Sequence, residues 1–183
     1  MVRAQQYKSI DELQLSWCAR CGEFSLWLNK RLIHPANITA PRPHTDMPES
    51  VLEYYNEARE VSASSSRAAA ALLRIAAKKL CEELGEHERN LYRAIGNLSR
   101  KGLPQSVIKS LDAVRIVGNE GGAHEGQIDL NGKDNEEIVH KLFWFINFII
   151  EKAITEPREI ENTFHALPEE KRQATEKRDE ETR

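Results

Sequence analysis

From residue 48 onward the apolar positions recur at helical spacing. Val51, Tyr54 or Tyr55, Ala58 and Val61 set the first period. Pro48 suits a first helical turn, and Glu49 complements the helix dipole. Ser64, Ser65 and Ser66 offer an N-cap for the next helix. That helix, predicted over 67–84, places Ala68, Leu72, Ile75, Ala76 and Leu80 on one face. Gly85 is its expected C-cap. The run Ala68 to Ala71 permits a neighbouring helix to come close. A shorter helix follows, with Leu91, Tyr92, Ile95 and Leu98 as its stripe. Gly102 and Pro104 break the chain, and a helix over 105–117 then buries Val107, Leu111 and Val114. Asp134 is the expected cap of a long helix reaching about Thr155. That helix is apolar almost all round, through Ile138, Val139, Leu142, Phe143, Phe145, Ile146, Ile149 and Ile150. Such a helix is central in a bundle or shared with a second subunit. Pro157 marks a break before a tail charged in both signs.

Residues 1–47 read differently. Phe24, Leu26 and Leu28 alternate with Ser25 and Trp27, as a strand requires. The stretch His34 to Pro48 carries prolines at 35, 41, 43 and 48 and cannot be a regular helix. The predicted fold is all-α, a four- to five-helix bundle with a small N-terminal β or zinc-ribbon-like appendage. Three regions are expected: 1–47, the appendage with a Pro-rich linker that wraps the main domain; 48–155, the bundle; and 156–183, a charged helix or tail.

The 183-residue chain is 40% hydrophobic and 30% charged, with a formal net charge of -3. A strongly basic footprint is absent, which argues against dedicated duplex-DNA binding. A local basic face remains, from Lys78, Lys79, Arg89, Arg93, Arg100, Lys101, Lys109 and Arg115; its plainer reading is a solvated helix surface. The first ten residues do not read as a signal peptide. The most apolar segment, Ile138 to Ile150, is shorter than the ~20 residues of a membrane span. A cytoplasmic protein without membrane contact is expected.

Two constellations carry chemistry. Cys18 and Cys21 form a Cys-x-x-Cys followed by glycine, half of a zinc ribbon. Structural zinc needs four ligands, and His34 and His44 are the nearby nitrogen donors. A Cys18, Cys21, His34, His44 zinc site stands beside a metal-free knuckle packed near Trp17 and Trp27. The third cysteine, Cys81, lies on the buried side of its helix and reads as core. The other constellation is the segment 111–127, LDAVRIVGNEGGAHEGQ. Arg115, Asn119, Glu120, His124 and Glu125 gather there at one helix end. On the plainer reading Gly118-Asn119 is a left-handed helix stop, Arg115 caps carbonyls or pairs with Glu120, and His124 bonds the turn.

Four segments together resemble the prokaryotic domain-of-unknown-function 4145 family. They are Trp17-Cys18-Ala19-Arg20-Cys21-Gly22 with the strand after it; Asp46-Met47-Pro48 leading to Tyr55-x-Glu57-Ala58; Ser66 to Arg74 running on to Lys79-Leu80-Cys81; and Arg115 to Asn119 with His124 beyond. Members occur alone and within restriction-type proteins, which implies a link to phage defence. The family is in turn similar to the HEPN superfamily of helical domains, many of which are dimeric, metal-independent RNA endonucleases. That resemblance implies Asn119 as the motif's polar residue and His124 as its histidine. The motif's arginine falls on Gly118, a departure, with Arg115 one turn earlier. If the helix persists, Arg115 and Asn119 share a face at i,i+4. Histidine would act as general acid or base and arginine would hold the phosphoryl oxygens. Glu120 and Glu125 would repel the phosphate. The expected partners are RNA or a partner protein, and a second copy through the helix 136–154. The alternative function is a non-catalytic module binding a protein or nucleotide in the same cleft.

Overall fold

The computed structural model describes residues 12–34, 38–120, 135–169 and 171–172. The chain divides into two compact units, residues 1–39 and 40–183. It is mostly helical, with a small three-stranded antiparallel sheet near the N-terminus.

The first unit is that sheet, β1 (Leu13–Trp17), β2 (Phe24–Leu28) and β3 (Arg31–His34) in the order β1-β2-β3. β2 is the strand expected from the alternation of Phe24, Leu26 and Leu28. The β2–β3 turn is two residues, Asn29 and Lys30, both at positive φ (51° and 63°). Such a turn matches the right-handed twist of the flanking strands. Leu13 pairs with Leu28, Leu15 with Leu26 and Trp17 with Phe24. Directly paired residues share a face, so one face of the sheet is wholly apolar along β1 and β2.

The second unit contains α1 (Glu49–Ser62), α2 (Ser66–Glu83), α3 (Leu91–Arg100), α4 (Gln105–Glu120) and α5 (Asn135–Ile150). α5 runs through a five-residue π-helical turn, Glu151–Thr155, into α6 (Glu156–His165). Ser65 caps α2 by accepting the Ala68 N–H at 3.1 Å. Gly85, at φ +77°, follows its C-cap. The face α2 buries is Ala69, Ala70, Leu73, Ala76, Ala77, Leu80 and Cys81. Of the stripe expected from the sequence, Ala76 and Leu80 are buried, whereas Ala68 is exposed, Leu72 half-buried and Ile75 39% exposed. An alanine tract offers no contrast between faces, so Leu72, the first large apolar residue after it, misplaces the stripe. The core also takes Val51, Tyr55 and Ala58 from α1, Val107, Leu111 and Val114 from α4, and Leu142, Phe143, Ile146, Ile149 and Ile150 from α5.

α2 and α4 meet at backbone distance. A Cβ added to Gly118 would lie 2.5 Å from Cβ of Arg74 and 2.8 Å from the carbonyl oxygen of Ala70. Both are closer than real Cβ contacts allow. Gly118 is therefore a contact residue inside a continuing helix, since α4 runs on to Glu120. It is not the left-handed helix stop of the plainer reading.

Residues 40–47 form a strap over the helices. Ala40 and Met47 are buried in the core. The Tyr55 hydroxyl reaches the carbonyl of Pro41 at 3.3 Å, and Asn147 donates to the Arg42 carbonyl at 2.8 Å. The His44 N–H donates to Asn147 Oδ1 at 3.0 Å. Asp46 accepts from Thr155 Oγ1 at 2.8 Å and pairs with Arg158. The bond from Arg158, then that from Thr155, hold the Asp46 carboxyl below its usual range. The break expected at Pro157 does not occur. Proline lacks an N–H to donate, and the chain passes Pro157 near the start of α6 directly after the wider π turn.

Two stability predictions follow from this packing. Gly96 on α3 has nothing within 4 Å of an added Cβ, so Gly96→Ala should stabilise by about 1 kcal/mol. Gly118→Ala should instead destabilise by about 1–3 kcal/mol through overpacking; urea unfolding of both variants measures the contrast. Because the folded Asp46 is the stronger acid, its contribution is present above the unfolded carboxylate pKa and is lost as pH falls through its depressed value. Asp46→Asn should melt earlier than the parent at neutral pH and lose less on acidification, as thermal scans across pH would show.

Candidate functional site

The residues of the sequence-derived constellation are placed unevenly. His124 lies outside the described residues. Asn119 is in α4, one turn after Arg115 on the same face, as expected for a helix that persists; its side chain lies outside the described residues. Arg115 is well placed. Its Nε donates to Asp112 Oδ1 at 2.9 Å, and its guanidinium lies 5.2 Å from the centroid of the Tyr92 ring. It thus pairs ionically with Asp112, three residues earlier on its own helix.

Tyr92 departs from the expected core stripe. It is 66% exposed, while Leu91, Ala94, Ile95 and Leu98 form the buried face of α3. Position 94 carries the small residue that keeps α3 close to its neighbours, and Tyr92 falls outside that arc. The phenol ring instead forms a wall of an open cleft of about 500 Å³ between α3 and α4. Arg93, Asn97, Arg100 and Asp112 line the same cleft. Glu88 is its other acidic residue, and the Asp112 charge is already matched by Arg115. The cleft thus joins an exposed aromatic ring, backed on its rim by one guanidinium, to the side chains of Arg93 and Arg100. A cation against a ring face is favourable by about 0.5–2 kcal/mol, so Arg115 orients the phenol. Arg93 and Arg100 were legible as part of a basic face. The role of Tyr92 was not, because its ring reads as core until α4 is placed beside it.

At residue 118 there is no room for a side chain while α2 and α4 keep their distance. Arg74 fills that place from α2, its Cδ 3.1 Å from the point an added Cβ would occupy. An arginine at 118 is therefore incompatible with the observed crossing.

The metal-ligand candidates fall in both units. Cys18 and Cys21 lie in the turn between β1 and β2, both exposed and free. The Cys18 N–H donates to the Glu23 carbonyl at 2.8 Å and the Gly22 N–H to the Cys18 carbonyl at 2.9 Å. Gly22 takes φ +75° to close the turn. Hydrogen bonds from the backbone N–H groups of Cys21 and Arg20 to the Cys18 sulfur, with a further one from the Cys21 side chain, hold the Cys18 thiol below its usual pKa. His34, in the same unit, stacks on Phe24 with ring centroids 4.8 Å apart. His44 belongs to the helical unit. Its Nε2 lies 2.9 Å from Glu151 Oε2, and its Nδ1 accepts the Asp46 N–H at 3.1 Å. Among the described residues no group of three or more His, Cys, Asp or Glu is arranged to hold a metal ion. Cys81 is fully buried, as expected, and burial pushes its thiol up to about 12.

The family model of a domain of unknown function, DUF4145, matches residues 56–177. The chain belongs to the DUF4145 family. Neither a curated protein nor a solved structure matches it. The DUF4145 match covers α1 from Asn56, the α3–α4 cleft, α5 and α6, and begins after the cysteine-bearing unit. Among the described residues, no helix of this DUF4145 protein is long and apolar enough to cross a membrane.

The thiols should separate by reactivity, since the thiolate is the nucleophile. In chelator at neutral pH, iodoacetamide should modify Cys18 first. Cys81 should stay unmodified until the helical unit unfolds. Peptide mass mapping over time reads both; early modification of Cys81 would contradict its burial.

Proposed function

We propose that the DUF4145 unit is a single-stranded RNA-binding module acting in prokaryotic nucleic-acid conflict, with the α3–α4 cleft as its binding surface. The observation that carries this is Tyr92, exposed and backed by Arg115, at the mouth of a cleft lined by Arg93 and Arg100. Proteins that bind single strands pair aromatic platforms for the bases with cations for the backbone. The open face of Tyr92 takes a base, and the two arginines take phosphates on either side. The overall charge of -3 suits a local contact of this kind better than a long duplex.

A second reading is metal-independent RNA cleavage of the HEPN type, with His124, Arg115 and Asn119 as the site. It is favoured by the continuation of α4 through Glu120, which keeps Arg115 and Asn119 one turn apart on one face. Against it stand the Asp112 partner of Arg115 and the closed position at Gly118. Either reading includes a homodimer through α5. Trp144 is 55% exposed there and stacks on Phe148 at 5.2 Å, leaving aromatic surface for a second copy.

One experiment tests the proposal. Labelled single-stranded RNA is titrated in EDTA with the parent protein, Tyr92→Ala and His124→Ala. Loss of one stacked base, about 1–3 kcal/mol, should weaken binding by Tyr92→Ala roughly 5- to 150-fold, with the circular dichroism spectrum unchanged. Equal affinity of Tyr92→Ala and the parent would reject the cleft. Cleavage by the parent but not by His124→Ala, leaving cyclic-phosphate ends, would establish the second reading. Binding without cleavage would leave the module as the function.

A further inference from the structure

α3 carries a glycine that no packing requirement explains. Gly96 stands inside a ten-residue helix, where glycine costs stability relative to alanine because it loses more backbone freedom on folding. At Gly118 the neighbouring helix forces that choice. At Gly96 nothing among the described residues comes within 4 Å of an added Cβ. The space is instead the floor of the α3–α4 cleft, which Gly96 lines together with Tyr92 and Arg100. A helix-interior glycine that is free of protein contacts and faces a cleft fits a ligand that comes close to the backbone.

The neighbours of Gly96 fit one class of ligand. Tyr92, Gly96 and Arg100 follow at i, i+4 and i+8 along one side of α3. A helical side chain covers the turn N-terminal to its own Cα. A side chain at 96 would therefore lie beside the Tyr92 ring and fill the space a stacked base needs. Neither Tyr92 nor Arg100 reaches within 4 Å of that point. Arg100 is held by Asn97 instead. Its guanidinium donates to Asn97 Oδ1, and Asn97 Nδ2 donates to Oε1 of the buried Glu86 at 2.9 Å. The amide holds Arg100 without cancelling its charge, and the Glu86 carboxylate is paired with Lys101. A bare floor between an aromatic ring and an uncancelled cation fits a planar ring that bears a phosphate.

We propose that Gly96 is the seat of the base: an unpaired base stacked on Tyr92 rests its edge on the bare α3 backbone at Gly96, with its phosphate on Arg100. The seat rests on the RNA reading and adds to it the residue that gives the base its room. It selects the flatness of a base and not its identity, because the backbone N–H and C=O groups at Gly96 are engaged in the helix's own ladder.

The test titrates a labelled single-stranded RNA in EDTA with the full chain and with Gly96→Ala, Gly96→Leu, Tyr92→Ala and the Gly96→Leu/Tyr92→Ala double variant, and unfolds each protein in urea. Both Gly96 variants should be at least as stable as the parent, since alanine and leucine are good helix formers. Gly96→Leu should nevertheless bind RNA roughly 5- to 150-fold more weakly, the range for one lost stacked base, with Gly96→Ala between it and the parent. The double variant should bind no more weakly than the weaker single variant, because both changes remove the same contact. A Gly96→Leu protein that binds as the parent does, while Tyr92→Ala does not, would overturn the seat and leave the RNA reading standing. Losses that add in the double variant, or a Gly96→Ala protein less stable than the parent, would overturn the seat as well. Affinity that does not depend on Tyr92 would remove the RNA reading and the seat with it.

Discussion

The helical unit depends on the contact between α2 and α4 at Gly118. There the two backbones approach until the Ala70 carbonyl and the Arg74 Cβ leave no space for a methyl group. Small residues at 69, 70, 76 and 77 make the same approach possible along α2. Because α2 also packs on α1, α3 and α5, the separation at this crossing sets where the other helices can lie. It sets the chemistry as well. Closing position 118 to side chains leaves Arg115, one turn earlier, as the arginine that α4 presents near its end, and Arg115 is turned toward α3.

The strap is the second organising contact. Prolines prevent residues 40–47 from forming regular structure, so their backbone groups need partners elsewhere. Asn147 meets that need twice, accepting from His44 and donating to the Arg42 carbonyl. Tyr55 lies beneath, edge-on to Phe143 at 5.0 Å, and its burial pushes the phenol pKa up. The strap thereby joins α1 to α5 through polar contacts laid over an apolar core.

Much of this was legible because local rules decided it. Ser65 caps and Gly85 terminates α2 whatever the rest of the chain does, and α4 needs only its own periodicity to show Val107, Leu111 and Val114 as core. The face of α2 was misread because alanine carries little hydrophobic contrast, so the partner helix chooses which alanines are covered. β1 went unread because a five-residue alternation becomes a strand only when β2 is present to pair with it. The cysteine turn could be found from spacing alone. Tyr92 could not, since its exposure depends on how α3 and α4 pack. The π turn had no sequence signal strong enough to compete with the proline that follows it.

That turn has a consequence for the surface. A helix repeats its faces every 3.6 residues, and a wider turn slips the phase. The residues of α6 therefore do not continue the faces of α5: none of them is buried, whereas α5 packs on the core throughout. One irregular turn lets a single unbroken rod carry a greasy half and a solvated half, each with its own angular register. The chain thus changes the character of its surface without spending a loop to do so.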